Sequence, residues 1–278
     1  KINKAFLGPD NALTMAKIPD SSQFLEKLSV TITNANNSNV YTFDTITVSN
    51  KEDGTFYNPY QQLYYHPFIP DPDTRYILKV IYKDKEITSE TYSIEEFSTL
   101  DITKPGFAKA ITFIYDQVSP VIWFRQDRAP RYDVTINFSW KEIWEGQADT
   151  VYRSIAWFKD TQVATTGEEV ETFYSANTFY NALEAYVPYD DPDTESQVLE
   201  RYFGLVEFIV EAGGTELNTY MEVNEPSSSI VQERPQYTNI ENGYGLFSAR
   251  ARATKNKKLS DQTKATIKED FFNLKFQF

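Results

Sequence analysis

Cysteine is absent from this 278-residue chain, and histidine occurs only once. The absence of cysteine excludes disulfides, thiolate metal sites and a cysteine nucleophile. The single histidine excludes zinc sites built on several imidazoles, and any Ser-His-Asp triad would have to use His66. The segment Tyr64-Tyr65-His66-Pro67 has neither a nucleophile elbow nor a neighbouring carboxylate. We therefore interpret His66 as a packing or surface residue.

Glycine is scarce too, and none of the 10 glycines forms the GxGxxG or GxxxxGK patterns that cradle phosphates. No apolar stretch reaches the roughly 20 residues of a membrane-spanning helix. The chain carries 40 acidic against 27 basic residues, a net charge of −13, which disfavours nucleic acid and anionic membrane surfaces as partners. The one dense basic run, residues 250–258, is interpreted as a solvated loop or the start of a helix.

Carboxylates are the remaining candidates for catalysis. Because the chain has 40 acidic residues, some must lie close together by chance, so no single pair indicates an active site. Those beside aromatic residues, such as Glu142, fit solvated strand faces as well as a glycosidase pair. Asp71 with Asp73, and the group at 190–193, place oxygen ligands in turns without the spacing of an EF-hand loop, so we interpret both as turns. We predict a chain that is not an enzyme, with no catalytic residue, cofactor or metal site.

Aromatic side chains are abundant, at 15% of the chain, and they favour strands. Alternating runs between turn residues predict strands at 25–33, 41–48, 76–82, 86–94, 109–115, 120–124, 132–140 and 151–158. A hairpin about Gly213-Gly214 is predicted to join 205–212 to 217–223, and 272–278 to form a terminal strand. Helices are predicted at 178–186, with Ser175 or Asn177 as the N-cap, and at 260–270.

These elements predict a mostly β protein of two domains. Residues 1–103 are expected to form an Ig- or transthyretin-like β-sandwich, and residues 104–278 a larger β-rich domain with one or two short helices. The boundary is placed within 98–106, where the strand pattern breaks before Pro105-Gly106.

A binding surface is predicted on an aromatic loop, because tyrosine and tryptophan can stack on sugars or anchor a partner protein. The candidates lie in a stretch with a loop-forming proline and amides, and beyond a strand at 132–140: Tyr57, Tyr60, Tyr64, Tyr65 and Trp144. Trp140 and Trp157 lie in alternating strands, and we expect both in the core.

Two segments resemble a family of uncharacterised exported lipoproteins of Bacteroidetes. One is Ile2-Asn3-Lys4-Ala5-Phe6-Leu7-Gly8, and the other, more specific, is Asn239-Ile240-Glu241-Asn242-Gly243-Tyr244-Gly245-Leu246-Phe247-Ser248. The resemblance implies an N-terminal carboxypeptidase-regulatory-like β-sandwich, a cell-envelope location and genes near those of TonB-dependent transporters. It implies no catalytic residue. We read the second segment as a structural signature in which Gly243 and Gly245 permit a tight loop.

The expected function is that of a binding or accessory module in the cell envelope. The chain begins at Lys1 without Met, and we interpret it as a mature form whose targeting segment, with its lipid anchor, has been removed. It would face the outer-membrane surface or the periplasm, with an outer-membrane transporter, another envelope protein or a glycan as partner. The alternatives are a fimbrial subunit that exchanges strand 272–278 and, less favoured, a glycan-binding or glycan-hydrolysing protein.

Overall fold

The structure is a computed structural model that describes residues 1–4, 11–24, 26–49, 54–55, 57, 60–97, 110–146, 149–187, 198–225 and 236–277. Strands dominate it. They are β1 (Ser29–Asn34), β2 (Val40–Thr42), β3 (Asp44–Val48), β4 (Gln61–Tyr65), β5 (Arg75–Tyr82), β6 (Lys85–Tyr92), β7 (Ala110–Ile111), β8 (Val118–Phe124), β9 (Arg131–Trp144), β10 (Val151–Val163), β11 (Glu169–Ser175), β12 (Val198–Gly213), β13 (Ile240–Glu241), β14 (Arg250–Leu259) and β15 (Phe276–Gln277). The mostly β fold class is confirmed.

Helices are short. They are α1 (Ala12–Ala16), α2 (Pro19–Ser22), α3 (Ala176–Tyr186), α4 (Thr215–Asn224) and α5 (Asp261–Asp270), with a 3₁₀ turn at Phe272–Leu274. No helix in the described part of the chain is long and apolar enough to cross a membrane.

The chain forms two compact units. The first comprises Lys1–Ser93 with Glu216–Ala249, and the second Ile94–Thr215 with Arg250–Phe278. The domain boundary predicted within 98–106 lies outside the described residues.

The first unit is built on a five-stranded sheet in the order β13-β6-β5-β1-β2, with β3 and β4 in a separate two-stranded sheet. Alternation in β1 and β5 turns apolar residues to one face, where Val30 lies opposite Val80. Leu28 joins these two in a buried cluster, against which Phe43 and Tyr64 from the β3–β4 region pack. The two sheets therefore share one core, as in a sandwich.

The second unit is built on a six-stranded sheet that contains the order β10-β9-β12-β14-β7, with β15 beside β12. One face of β9 is buried along the whole strand: Tyr132, Val134, Ile136, Phe138, Trp140, Glu142 and Trp144. Helix α3 packs there through Phe179, whose ring centroid lies 5.5 Å from that of Phe138 and 5.3 Å from that of Trp157. Trp140 and Trp157 are buried, which confirms their prediction as core residues.

Both predicted helices are confirmed, and each has the side-chain cap that its sequence provides. Ser175 Oγ accepts a hydrogen bond from the backbone N–H of Asn177 at 3.2 Å at the start of α3. Ser260 Oγ accepts one from the backbone N–H of Thr263 at 3.2 Å at the start of α5. The capping serines therefore mark the first turns of both helices in the sequence.

The predicted hairpin at Gly213-Gly214 is wrong. Strand β12 ends at Gly213, and helix α4 begins two residues later at Thr215. Glu216 lies in the first turn of α4, where a carboxylate suits the partial positive charge of a helix N-terminus. The double glycine therefore marks a strand-to-helix turn.

The prediction of a loop or helix start for the basic run is also wrong. Residues 250–259 form strand β14, which pairs antiparallel with β12 from Leu205–Lys258 to Gly213–Arg250. Pairing with the long central strand overrides the weak β-propensity of lysine.

The predicted terminal strand is wrong in its first half. Phe272–Leu274 forms a 3₁₀ turn, and Lys275 with φ 54° redirects the backbone. Only Phe276 and Gln277 pair, parallel to Arg201 and Tyr202 of β12, and Phe276 is buried. Of the segment expected to be donated to another subunit, Phe276 and Gln277 thus pair within the chain's own sheet.

Candidate binding surface

The tyrosines of the predicted aromatic loop differ in burial. Tyr60 and Tyr65 are 54% and 53% exposed, whereas Tyr57 and Tyr64 are half-buried. Tyr64 and Tyr65 are successive residues of β4, so their side chains point to opposite faces of the two-stranded sheet.

Tyr64 faces the core of the first unit. Its hydroxyl accepts a hydrogen bond from the backbone N–H of Leu28 at 2.9 Å, and its ring packs against the cluster of Leu28, Val30 and Val80. Tyr64 therefore ties β4 to the core of the first unit.

Tyr65 belongs to the outward face of this two-stranded sheet. Ile46 lies directly opposite Leu63 in the register, two residues from Tyr65 on the same side, and Ile46 is also exposed. We call Ile46, Leu63 and Tyr65 the tyrosine face. Tyr60 precedes β4, and its carbonyl accepts a hydrogen bond from Gln23 Nε2 at 3.3 Å. The structure thus leaves two of the predicted tyrosines available to a partner.

Trp144 is buried in the second unit, with only 3% of it exposed, and it does not belong to an exposed loop. It continues the inward side of β9 beyond Trp140, because residues 140, 142 and 144 share one strand face. Its indole Nε1 donates to Glu142 Oε2 at 2.9 Å. The binding interpretation of Trp144 is therefore replaced by a role in the core.

Glu142, which the sequence left open between a solvated strand face and a glycosidase pair, is fully buried and has four donor groups around its carboxylate. Trp140 Nε1 donates to Oε1 at 2.7 Å, and Arg201 Nε to the same oxygen at 2.8 Å. Arg153 Nε lies 3.4 Å from Oε2, the oxygen that also receives the Trp144 bond. Both carboxylate oxygens are thus engaged in a hydrogen-bonded ion pair.

Two opposing effects act on the Glu142 carboxyl. Burial, the larger single effect, raises its pKa, but the hydrogen bonds from Trp140 and Arg201 and the charge of Arg201 outweigh it and bring the pKa below the ordinary value of 4.5. Arg201 is fully buried as well, and its Nη1 donates to the Leu274 carbonyl at 2.8 Å. The lowered pKa keeps the Glu142 carboxylate ionised at neutral pH, and its hydrogen bonds to buried donors are those of a structural ion pair.

A loop braced by side-chain hydrogen bonds in the first unit includes most of residues 239–248, the second segment that carries the family resemblance. We define it as residues 238–247, with β13 at its start. Thr238 Oγ1 accepts hydrogen bonds from the backbone N–H groups of Ile240 and Gly245, and it donates to the Gly245 carbonyl at 3.0 Å. Asn239 closes the loop, because its Oδ1 accepts from the Phe247 N–H at 2.9 Å and its Nδ2 donates to the Phe247 carbonyl at 2.7 Å.

The braced loop is also tied to β6. Ser89 Oγ donates to the Asn239 carbonyl at 2.6 Å, and Asn242 Nδ2 donates to the Glu86 carbonyl at 2.9 Å. Gly245 has a φ angle of 141°, a backbone conformation that residues with a side chain rarely adopt. These contacts confirm the reading of this segment as a tight loop with a structural role.

Tyr244 stands at the tip of the braced loop and is 83% exposed. Sequence reasoning did not single it out, although a tyrosine between two glycines in a stretch with amide and hydroxyl side chains was the available signal. A large aromatic side chain on a loop fixed by side-chain hydrogen bonds is a preorganised contact point.

His66 lies among aromatic rings, with its centroid 5.8 Å from both Tyr41 and Phe43 and 6.2 Å from Phe68. It is half-buried, which confirms the interpretation as a packing residue.

Asp71 is engaged in a turn. Its carboxylate accepts from Asn34 Nδ2 at 2.7 Å, and its backbone N–H donates to the Tyr76 hydroxyl at 2.8 Å. Within the described ranges, no three His, Cys, Asp or Glu side chains converge as a metal site would require. The acidic group at 190–193 lies outside these ranges.

The candidate binding surface therefore consists of two parts of the first unit: the tyrosine face with Tyr60, and Tyr244 on the braced loop. No family model and no curated protein matches this chain.

Proposed function

We propose that this protein is a non-catalytic binding module of the cell envelope that assists an outer-membrane transporter. The observation that carries the proposal is Tyr244, 83% exposed on a loop that Thr238 and Asn239 brace through five hydrogen bonds. The envelope location, the lipid anchor of the precursor and the transporter as partner come from the family resemblance.

A fixed tyrosine suits protein recognition for a thermodynamic reason. Tyrosine offers a large contact area with only two side-chain torsions, so little conformational entropy is lost when a partner immobilises it. The bracing bonds have already ordered the backbone beneath it, and this lowers the entropic cost of association. Tyrosine is accordingly enriched among the few residues that dominate binding energy at interfaces.

The tyrosine face extends the proposal to a second contact area. Ile46 and Tyr65 are exposed at diagonal positions of a two-stranded sheet, and Tyr60 precedes the strand that carries Tyr65. An exposed pair of this kind supplies apolar area that a partner can cover. Exposed tyrosines also stack on sugar rings, so a glycan is the second candidate ligand.

The experiment that tests the proposal is affinity capture from solubilised outer membranes, with single substitutions in the bait. Tyr244→Ala is expected to reduce the recovery of a transporter by about 30-fold, the loss typical of a dominant interface residue. Tyr152→Ala is the matched control, because Tyr152 is 79% exposed in the second unit and outside the proposed surface. Equal recovery by the two variants, or recovery of no transporter by the unaltered chain, would contradict the proposal.

A glycan ligand gives a different result in the same series. In this case the purified chain binds immobilised glycans, substitution of Tyr65 abolishes the binding, and added envelope proteins do not compete with it. This result would make a sugar, and not a transporter, the proposed ligand.

A further inference from the structure

Strands β8 and β11 form a two-stranded antiparallel sheet in the second unit, separate from the six-stranded sheet. The register pairs Val118 with Ser175 at one end and Phe124 with Glu169 at the other. One face of this small sheet is buried, and its residues are Val121, Trp123, Val170, Thr172 and Tyr174. Because side chains alternate along a strand, the residues between them belong to the opposite face, which we call the outer face.

The outer face carries an apolar strip. On β8 the strip consists of Val118, Pro120, Ile122 and Phe124, and on β11 Phe173 lies directly opposite Pro120. Val118, Phe124 and Phe173 are exposed, Phe173 to 54%. Successive members of the strip are neighbours along one strand face or across the register, so the strip is continuous. Contiguous exposed apolar side chains are characteristic of interaction surfaces.

Two carboxylates lie beside the apolar strip. Glu169 and Glu171 belong to the outer face of β11, and both are exposed. In the described ranges, neither carboxylate has a salt bridge or a side-chain hydrogen bond. Arg125, just after β8, donates instead to the Gly167 carbonyl at 2.8 Å and to Asp127 at 3.1 Å. The outer face therefore complements a partner that has both basic and apolar side chains.

One edge of β11 is open. Strand β8 pairs with the other edge, and no further strand in the described part of the chain pairs with β11. The backbone N–H and C=O groups along an open edge are a template for an added strand.

The buried face holds β11 in position. The Thr172 hydroxyl donates to the Asp160 carboxylate of β10, and the Tyr174 ring packs edge-on against Trp157, with 5.6 Å between the ring centroids. A partner strand would therefore meet a preformed edge, which lowers the entropic cost of binding.

We propose that β11 accepts an extended segment of a partner protein as an added strand, with basic side chains beside Glu169 and Glu171 and an apolar side chain beside Phe173. Backbone hydrogen bonds to the open edge supply affinity, and the alternate side chains supply specificity. Antiparallel pairing is the more stable arrangement. In that orientation the partner runs from Phe173 towards Glu169, so its sequence reads apolar, any, basic, any, basic.

A second copy of this chain is a poor occupant of this edge, because each copy carries a net charge of −13 and the two repel each other. The site belongs to the second unit and does not involve the tyrosine face or Tyr244. Failure of either proposal therefore leaves the other standing.

A peptide of the sequence Thr-Val-Thr-Lys-Thr-Lys-Thr tests the proposal. It is acetylated at its N-terminus and carries a neutral dye at its C-terminus, and its binding to the purified chain is followed by fluorescence anisotropy. Saturable binding is expected. The control peptide Thr-Val-Thr-Lys-Lys-Thr-Thr has the same composition but turns one lysine to the other face, and it is expected to bind about fivefold more weakly. Hydrogen exchange of backbone N–H groups in β11 is expected to slow when the first peptide binds.

A pair of charge reversals in the chain gives the matching test. Glu171→Lys is expected to weaken binding of the first peptide by about tenfold, because it places like charges opposite each other. Glu168→Lys is the control, since it makes the same change in net charge just before β11 begins. It is expected to alter the affinity by less than about twofold, because solvent screens a charge outside the paired strand. Circular dichroism verifies that both variants retain the fold.

Several results would each overturn the proposal. They are the absence of saturable binding of the first peptide into the millimolar range, equal binding of the two peptides, and equal losses in Glu171→Lys and Glu168→Lys. Binding without slower hydrogen exchange in β11 would also overturn it, because the peptide would then not be paired with the strand.

Discussion

Glu142 and Arg201 are both fully buried, and Arg201 Nε lies 2.8 Å from Glu142 Oε1. Removal of one member of a buried ion pair leaves the other uncompensated in a medium that solvates it poorly. Replacement of both members by apolar residues is often much less damaging.

We predict that Glu142→Gln lowers the free energy of unfolding by about 3–5 kcal/mol, because it removes the carboxylate charge beside the buried Arg201 guanidinium and turns an amide N–H₂ towards existing donors. The measurement is urea unfolding at neutral pH. The matched variant combines Glu142→Met with Arg201→Met and should be more stable than the single variant. A loss below about 1 kcal/mol in Glu142→Gln would refute this view of the pair.

The same carboxyl gives a pH dependence of definite sign. Because the folded protein holds the pKa of Glu142 below the ordinary 4.5, its contribution to stability is fully present above that pH. The contribution is lost as the pH falls through the folded-state pKa. Between about pH 7 and pH 3, the free energy of unfolding should therefore fall more steeply with decreasing pH for the unaltered chain than for Glu142→Gln.

Gly204 offers a second test at the residue scale. We predict that Gly204→Ala destabilises the protein by about 2–3 kcal/mol, since its Cβ would meet backbone atoms of Ser139 that cannot move aside cheaply. Gly54→Ala is the control, because an added Cβ there meets nothing within 4 Å, and a change within about 0.5 kcal/mol is expected. Thermal unfolding of both variants checks this, and similar losses would contradict it.

At the scale of elements, the helices that could be predicted are those with local signals. Helices α3 and α5 each begin after a serine whose hydroxyl caps the first turn. The secondary structure of the segments that form strand β14 and helix α4 was predicted wrongly, because it depends on what these segments pair with or pack against. Lysine-rich β14 is a strand because β12 offers it a partner, and no pattern within 250–259 reveals that partner.

The cap of α5 gives the prediction at this scale. Ser260→Ala should lower the free energy of unfolding by about 1 kcal/mol, since the Thr263 N–H loses its acceptor. Ser154→Ala serves as control, because Ser154 is exposed in β10 and caps no helix. Chemical unfolding of the two variants measures the difference, and an effect as small as that of the control would argue against the cap.

For the whole molecule, composition and alternation were sufficient to predict a mostly β chain with a buried aromatic core. The return of residues 216–249 to the first unit has no sequence signal, because it depends on contacts between segments far apart in the chain, such as Asn239 with Ser89. Long-range pairing of this kind is not encoded in local propensity.

Only part of the candidate surface could be predicted, because the exposure of its residues also depends on contacts between distant segments. Tyr60 and Tyr65 are exposed, as the proline and amides around them led us to expect, but residues 61–65 form a strand and not the predicted loop. Trp144 was misassigned because the predicted strand ended at residue 140, whereas β9 continues to Trp144 and residues 140, 142 and 144 share a strand face. Tyr244 was missed because its exposure depends on the bracing of the loop by Thr238 and Asn239.

The central claim is that Tyr244 contacts an envelope partner, and site-specific photo-crosslinking in living cells tests it most directly. A photoreactive phenylalanine analogue replaces Tyr244 in one strain and Tyr152, exposed in the second unit, in another. The proposed function predicts a crosslink from position 244 to an outer-membrane transporter, identified by mass spectrometry, and none from position 152. No adduct at position 244, or the same adducts at both positions, would contradict it.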